Sequence, residues 1–127
     1  MLSFAEIMFA LVFWHALADF ALQTDWLQLA KSHRTAEGAA KADFGAPVWP
    51  LALSAHAIIH AGGVAFITGS ISLGVGEFFA HAAIDYMKSD ERFGIYADQV
   101  LHLLCKAAWA AIAACAGLGA IGGLPAT

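Results

Sequence analysis

HAAIDYMKSDERFGIYADQVLH, residues 81–102, reads as the end of one apolar helix, a short polar turn and the start of another. It holds two mirror-image pairs, His81 with Asp85 and Asp98 with His102. Members of each pair are four residues apart and share one helix face. Each helix therefore carries a histidine and an aspartate just inside the end that meets the turn. The rest of the chain repeats this pattern.

Working outward, four spans are expected, at about residues 3–23, 48–68, 70–88 and 95–118, within a single domain covering 1–127. About 20 apolar residues cross a hydrocarbon core. Ser3 is placed to cap the first span, with Glu6 three positions on as in a capping box. Thr24 to Lys31 reads as a short amphipathic helix at the interface, with Trp26 as its anchor. A polar loop follows with His33, Arg34, Glu37, Gly38, Lys41 and Asp43, broken by Gly45 and Pro47. Pro50 falls in the first turn of the second span, where its missing donor does no harm. Gly62 and Gly63 in that span allow a close neighbour. The uncharged link from Gly69 to Gly76 leaves the third helix able to start near Ser70. The Ala-rich second half of the last helix suits close packing and permits a homo-oligomer. A frayed tail is expected from Gly117. The fold class is all-α: an integral-membrane four-helix bundle with a short interfacial helix after the first span.

Composition supports that class. Of 127 residues, 61% are hydrophobic and 13% charged, against roughly half and a quarter in soluble domains. The net charge of −4 carries little information. No basic patch interleaved with aromatics points to nucleic acid. Cys105 and Cys115 fall in one helix and cannot pair there. The N-terminus lacks a basic leader region and a clear cleavage site, so it reads as a first membrane helix and not a removed signal. Lys31, Arg34 and Lys41 lie in the first connection, and Lys88 and Arg92 flank the third. The positive-inside rule puts both connections in the cytoplasm. This implies a multi-pass membrane protein with both termini on the non-cytoplasmic side. Lys106, inside the last helix, is the exception; it either neutralises Asp98 or snorkels. Glu77 is expected near the outer surface. Trp14, Trp26, Trp49 and Trp109 are expected at interfaces or in packing.

Four pairs share the spacing of four: His15/Asp19, His56/His60, His81/Asp85 and Asp98/His102, one on each expected helix. Composition alone gives roughly one such pair at random. Counted inward from the cytoplasmic ends, Asp19, Asp85 and Asp98 fall about 5 Å deep. His15, His56, His81 and His102 fall near 10 to 12 Å, with His60 a turn deeper. The helices alternate in direction, yet the polar residues form layers. A charge inside a span costs at least about 2.5 kcal/mol, so these groups are expected to face inward and share partners. One histidine in an apolar helix is ordinarily an interior residue bonded to a carbonyl. A converging set of imidazoles and carboxylates is how helix bundles hold metals. The donors suit a divalent transition metal, Zn first with Mn or Fe as alternatives, as one or two ions. The ligand candidates are His15, His56, His60, His81, His102, Asp19, Asp85 and Asp98. The three aspartates are also the catalytic candidates, as ligands, general base or groups orienting the histidines.

A metal at this depth would activate water. Lys31, Arg34, Lys88 and Arg92 at the cytoplasmic mouth would hold a phosphate or an anionic headgroup. The leading function is a metal-dependent hydrolase acting on a lipid or phosphorylated substrate from the cytoplasmic leaflet, with membrane lipid as the partner. One alternative is proton or ion transport through the His/Asp layer. Another is a scaffold that this layer only stabilises.

His15-Ala-Leu-Ala-Asp19-Phe-Ala-Leu-Gln23-Thr-Asp25-Trp26, followed by Lys31, resembles the opening signature of the domain of unknown function 3307 family, small bacterial and phage membrane proteins. His56 to His60, His81 to Asp85 with Lys88, and Asp98-Gln99 to His102 resemble its later pieces, so the likeness spans most of the chain. Ala18 stands where the family often has glycine. The resemblance implies a fold and candidate positions but no reaction, and it adds Gln23, Asp25 and Gln99 to the substrate- or headgroup-binding candidates Lys31, Lys88 and Arg92.

Overall fold

The computed structural model describes residues 2–42 and 45–119. Six α-helices form: α1 (Phe4–Ala16), α2 (Asp25–Ala30), α3 (Ala36–Ala39), α4 (Trp49–Thr68), α5 (Ile71–Ser89) and α6 (Ile95–Cys115). The described residues contain no strand beyond an isolated bridge between Lys41 and Pro47. The architecture is all-helical.

Local chemistry sets the ends. Ser3 closes a capping box: its amide donates to Glu6 Oε2 at 2.7 Å and its hydroxyl accepts from the Glu6 amide. The first helix was expected to run unbroken to Gln23. Instead its α-helical part stops at Ala16 and opens into a π-helical turn, Leu17–Ala21, closed by the Leu22 amide on the Leu17 carbonyl at 2.9 Å. Thr24 caps α2, accepting from the Leu27 amide at 3.1 Å. The polar loop is less irregular than expected, because Thr35 caps the one-turn helix α3. Pro50 opens α4, where a missing amide costs nothing. Gly69 ends α4 in the left-handed region, φ +68°. Ser70 then caps α5 directly, so α4 and α5 form a hairpin joined by two residues. The expected link up to Gly76 is helix.

The four long helices pack in a ring: α4 against α5, α5 against α6, α6 against α1 and α1 against α4, with α2 and α3 lying beside α4. The interior divides along its length. One half is apolar and closed by Ile7, Leu11, Val64, Ile67, Leu73, Ala110 and Ala113. The other is polar and equally buried, with His15, His56, His60, Glu77, His81, Asp85, Asp98, His102 and Lys106 all at 4% exposure or less. The outward faces are apolar: Phe9, Leu51, Ile71 and Phe79 are 67–81% exposed.

Phe4–Ala21 and Trp49–Thr68 are long and apolar enough to cross a membrane by length and composition. At 19 and 21 residues, α5 and α6 have spanning length. Both carry buried charges, Glu77 and Asp85 on α5 and Asp98 and Lys106 on α6. The last helix ends at Cys115, three residues short of expectation, as Gly117 turns left-handed at φ +66°. The first residues of the expected frayed tail are held, since the Gly119 amide donates to the Thr68 carbonyl at 3.1 Å. The tail beyond Gly119, and Asp43 in the polar loop, lie outside the described residues.

The α4–α5 pair depends on a missing side chain. A Cβ at Gly74 would lie 2.8 Å from the Ala61 carbonyl oxygen, whereas one at Gly62 meets nothing within 4 Å. Gly74→Ala is expected to destabilise by about 1–3 kcal/mol through overpacking. Gly62→Ala should be neutral or stabilise by up to about 1 kcal/mol. Thermal unfolding of both variants in one detergent checks the contrast; equal melting temperatures would contradict it.

Candidate metal centre

Inward positions recur every three or four residues, so each long helix contributes a stripe. The stripes are His15 and Ala18 on α1 and its π-turn, His56 and His60 on α4, Glu77, His81 and Asp85 on α5, and Asp98, His102 and Lys106 on α6. Five imidazoles meet in the middle. His60 stacks on His81 with ring centres 3.7 Å apart, and His102 lies 4.2 Å from His81. His15 is within 5.3 Å of His60 and 5.2 Å of His102.

Asp19 is one hub. His56 Nε2 and His60 Nε2 lie 3.1 and 3.0 Å from its Oδ1. The Gln99 amide donates to its Oδ2 at 3.2 Å, and His15 Nε2 is 3.5 Å from that oxygen. The π-turn brings this about: its wider winding lets Ala18 and Asp19 both turn inward, so the carboxylate reaches across to α4 as well as back to His15. Single π-turns of this kind concentrate at functional sites.

Asp85 is the second hub. Lys31 Nζ, from the C-terminal end of α2, donates to its Oδ2 at 2.6 Å and to Gln23 Oε1 at 2.8 Å. His102 Nε2 lies 3.4 Å from Asp85 Oδ1, and His56 Nε2 and His81 Nε2 each lie 3.7 Å from Oδ2. Asp98 Oδ2 receives Lys88 Nζ at 3.0 Å and the Gln99 amide at 3.2 Å. Its Oδ1 is buried without a hydrogen-bond partner.

Two groups offer metal-ligating atoms that all lie within 4.8 Å of one another: Asp19, His56, His60 and His81; and His81, Asp85 and His102. His81 belongs to both. Four ligands held about 2.0 Å from a Zn²⁺ ion stand about 3.3 Å apart, close to the 3.0–3.7 Å separations found among these Nε2 and Oδ atoms. His81 Nε2 and His102 Nε2 are buried with no hydrogen-bond partner among the described residues. Buried polar atoms are ordinarily satisfied, and a cation among these lone pairs would satisfy them. These buried His/Asp groups could hold a metal ion.

A cavity of about 200 Å³ opens onto the groups. Asp19, Asp85, Asp98 and Gln99 line its inner side, and Lys31, Lys88 and Gln28 its sides. It shares Gln28, Lys31 and Lys88 with an outer pocket of about 340 Å³ that extends to Arg34 and Glu91.

Among the substrate-binding candidates, Gln23, Lys31, Lys88 and Gln99 come to this site. Asp25 does not; it is exposed on the first turn of α2. Arg92 is 66% exposed, with its nearest acid Asp90 at 3.7 Å. The sixth histidine, His33, lies apart, 3.0 Å from Asp90 and stacked on Tyr86. Glu77, expected near the outer surface, is fully buried and pairs with Lys106. Lys106 therefore neutralises neither Asp98 nor a headgroup. The signal for both was present in the spacing, since Glu77 stands four before His81 and Lys106 four after His102. Trp109 donates to Glu77 Oε2 at 2.6 Å, and Trp14 to the Ile59 carbonyl at 3.0 Å, so both serve packing and hydrogen bonding inside the ring.

No family model matches the chain, and no curated protein or solved structure matches it.

Removing the Asp19 carboxylate leaves the inward atoms of His56, His60 and Gln99 without their acceptor. Each buried group so abandoned costs about 1–3 kcal/mol. Asp19→Ala in metal-free protein is expected to lose about 3 kcal/mol or more, seen as a fall in melting temperature well beyond that of Asp25→Ala, which should match the parent.

Proposed function

We propose that the chain is a membrane-embedded metal-binding protein and a metal-dependent hydrolase of a lipid or phosphorylated substrate reached from the cytoplasmic leaflet. One observation carries this reading: a cavity lined by Lys31 and Lys88 is also lined by Asp19 and Asp85, one carboxylate from each of the two His/Asp groups. Beyond the imidazoles the interior is closed by Ile7, Leu11, Val64 and Leu73. Such a blind chamber suits binding and chemistry better than conduction.

The inverted distribution of polarity supports the membrane setting. Large apolar side chains cover the outside of all four long helices while the charged residues sit within. In water that surface would be an extended hydrophobic patch; in lipid it is the ordinary exterior. On this reading all four long helices span, in a bacterial inner membrane, with Lys31, Arg34, Lys88 and Arg92 on the cytoplasmic side. The likeness to the domain of unknown function 3307 family belongs to the same proposal.

A divalent ion, Zn²⁺ by the donor set, would supply Lewis acidity and water activation. Asp19, His56 and His60 would hold it on one side of the cavity, Asp85 and His102 on the other, with His81 available to either. Asp98 Oδ1, buried and without a partner, is the candidate to take a proton from the attacking water. With Asp85 turned to a cation, the ammonium group of Lys31 would be left to an anionic phosphate, with Lys88 beside it. Gln23 and Gln28 add neutral hydrogen-bonding groups beside it.

A proton or ion path is the second reading, favoured by one observation. The Glu77–Lys106 pair carries the polar column one turn past the His layer. The apolar plug beyond it counts against a continuous route.

Elemental analysis of detergent-purified protein, beside a His81→Ala/His102→Ala variant, tests the proposal. The parent is expected to carry about one or two equivalents of a transition metal, and the variant to lose at least half. A parent without metal after metal-replete growth would overturn the metalloenzyme reading. Phosphoesters and phospholipids are then screened, with Asp98→Asn expected to lower turnover by about a hundredfold or more at unchanged metal content.

A further inference from the structure

We infer that Glu77 is a positioning residue for the metal centre: held by Lys106 and Trp109, it fixes which nitrogen of His81 faces the ligand groups. The inference rests on the metal-binding reading above. Glu77 is fully buried in α5, one turn from His81 and on the same stripe. Lys106 Nζ donates to its Oε1, and Trp109 Nε1 to its Oε2 at 2.6 Å. Two residues of α6 thus clamp one carboxylate of α5, and Oε1 stands 3.4 Å from His81 Nδ1. That separation is long for a hydrogen bond, but it is the approach that aims a carboxylate at this ring nitrogen.

His81 is where such control matters most, because it is common to both candidate groups. A neutral imidazole has one N–H and one lone pair, and an acceptor beside one nitrogen decides that the other is the ligand. With Nδ1–H turned to Glu77, the lone pair of Nε2 faces Asp85 and the other imidazoles. Both ring nitrogens of His81 are buried without a hydrogen bond among the described residues, and Glu77 Oε1 is the carboxylate oxygen that stands within 3.4 Å of Nδ1. Carboxylate partners of this kind raise ligand basicity and hold ring orientation. Stability alone is a weak reason for the clamp, since a buried ion pair can often be replaced by apolar residues of similar size at little cost.

The same property supplies the test. Co²⁺ is titrated into metal-stripped, full-length protein in detergent, and affinity and visible ligand-field absorption are read for the parent, Glu77→Leu/Lys106→Met and Glu77→Gln. The double variant removes both charges together but leaves the Trp109 N–H without its acceptor, so it is expected to keep helix content with a modestly lower melting temperature. Its Co²⁺ affinity should fall by about 10- to 100-fold with an altered band envelope. A folded double variant with the parent's affinity and spectrum would overturn the role of Glu77 while leaving the metal centre standing. A parent that binds no Co²⁺ would remove the metal reading itself. Should the double variant fail to fold, Glu77→Gln, which keeps the shape but not the charge, decides on the same criterion: weakened Co²⁺ binding supports the role and unchanged binding overturns it.

Discussion

A charged group taken out of water must be met by partners, and the interior of this ring is organised by that requirement. Asp19 draws His56, His60 and Gln99; Asp85 draws Lys31 and His102; Asp98 draws Lys88 and Gln99; Glu77 draws Lys106 and Trp109. Each carboxylate thereby binds together at least two helices or a helix and the segment after the first one. The four long helices have apolar outer faces that do not by themselves choose a rotation about their axes. Turning any one of them would leave a buried charge unmet, at several kcal/mol, so the polar layer sets the rotation of every helix. Four carboxylates face three ammonium groups within or at the rim of this interior, which leaves it one positive charge short. A proton taken up by one imidazole would make up that difference, and a divalent cation would more than make it up.

The division of the interior into polar and apolar halves narrows what the chain can do. The polar half communicates with the surface through the cavity beside Lys31 and Lys88, whereas Ile7, Leu11, Val64 and Leu73 close the other end. Low dielectric around the imidazoles strengthens their hold on a cation.

Much of this was legible because helix geometry turns a spacing of four into a shared face. His15, His56, His60, His81 and His102 could be placed together from their positions alone, as could Asp85 and Asp98. Glu77 and Lys106 carry the same spacing, but the spacing sets Lys106 on the same face as Asp98 of its own helix and leaves Glu77 near a helix end, and neither position names the other. Their pairing runs between helices, and no intrahelical pattern encodes it. The π-turn at Leu17–Ala21 was invisible for a different reason: nothing in Leu-Ala-Asp-Phe-Ala breaks a helix, and the extra residue in the turn is paid for by contacts Asp19 makes across the ring. The last helix ends three residues early, where Gly117 turns left-handed, while α4 ends at Thr68 as expected, with Gly69 left-handed after it. Asp25 and Arg92 were nominated by motif and position, yet both side chains are exposed. Lying near a mouth in sequence does not make a residue part of it.

The two-residue turn between α4 and α5 bears on how such a chain is made. On the membrane reading, these helices can leave the ribosome and enter the bilayer as one antiparallel hairpin, apolar outside and closely joined at Gly74. Within that hairpin His60 already stacks on His81, but Glu77 and Asp85 have no cation. Their lysines come from elsewhere, Lys106 from α6 and Lys31 from the segment before α4. Inserted alone, α5 would carry acids into lipid at about 2.5–3.5 kcal/mol each, and α6 would do the same with Lys106 and Asp98. Arriving together, they cancel much of that cost. On that reading Lys31, made before α4, is already present for Asp85, whereas Glu77 meets its lysine only when α6 arrives, so a ribosome pausing between the last two helices would leave Glu77 without its cation.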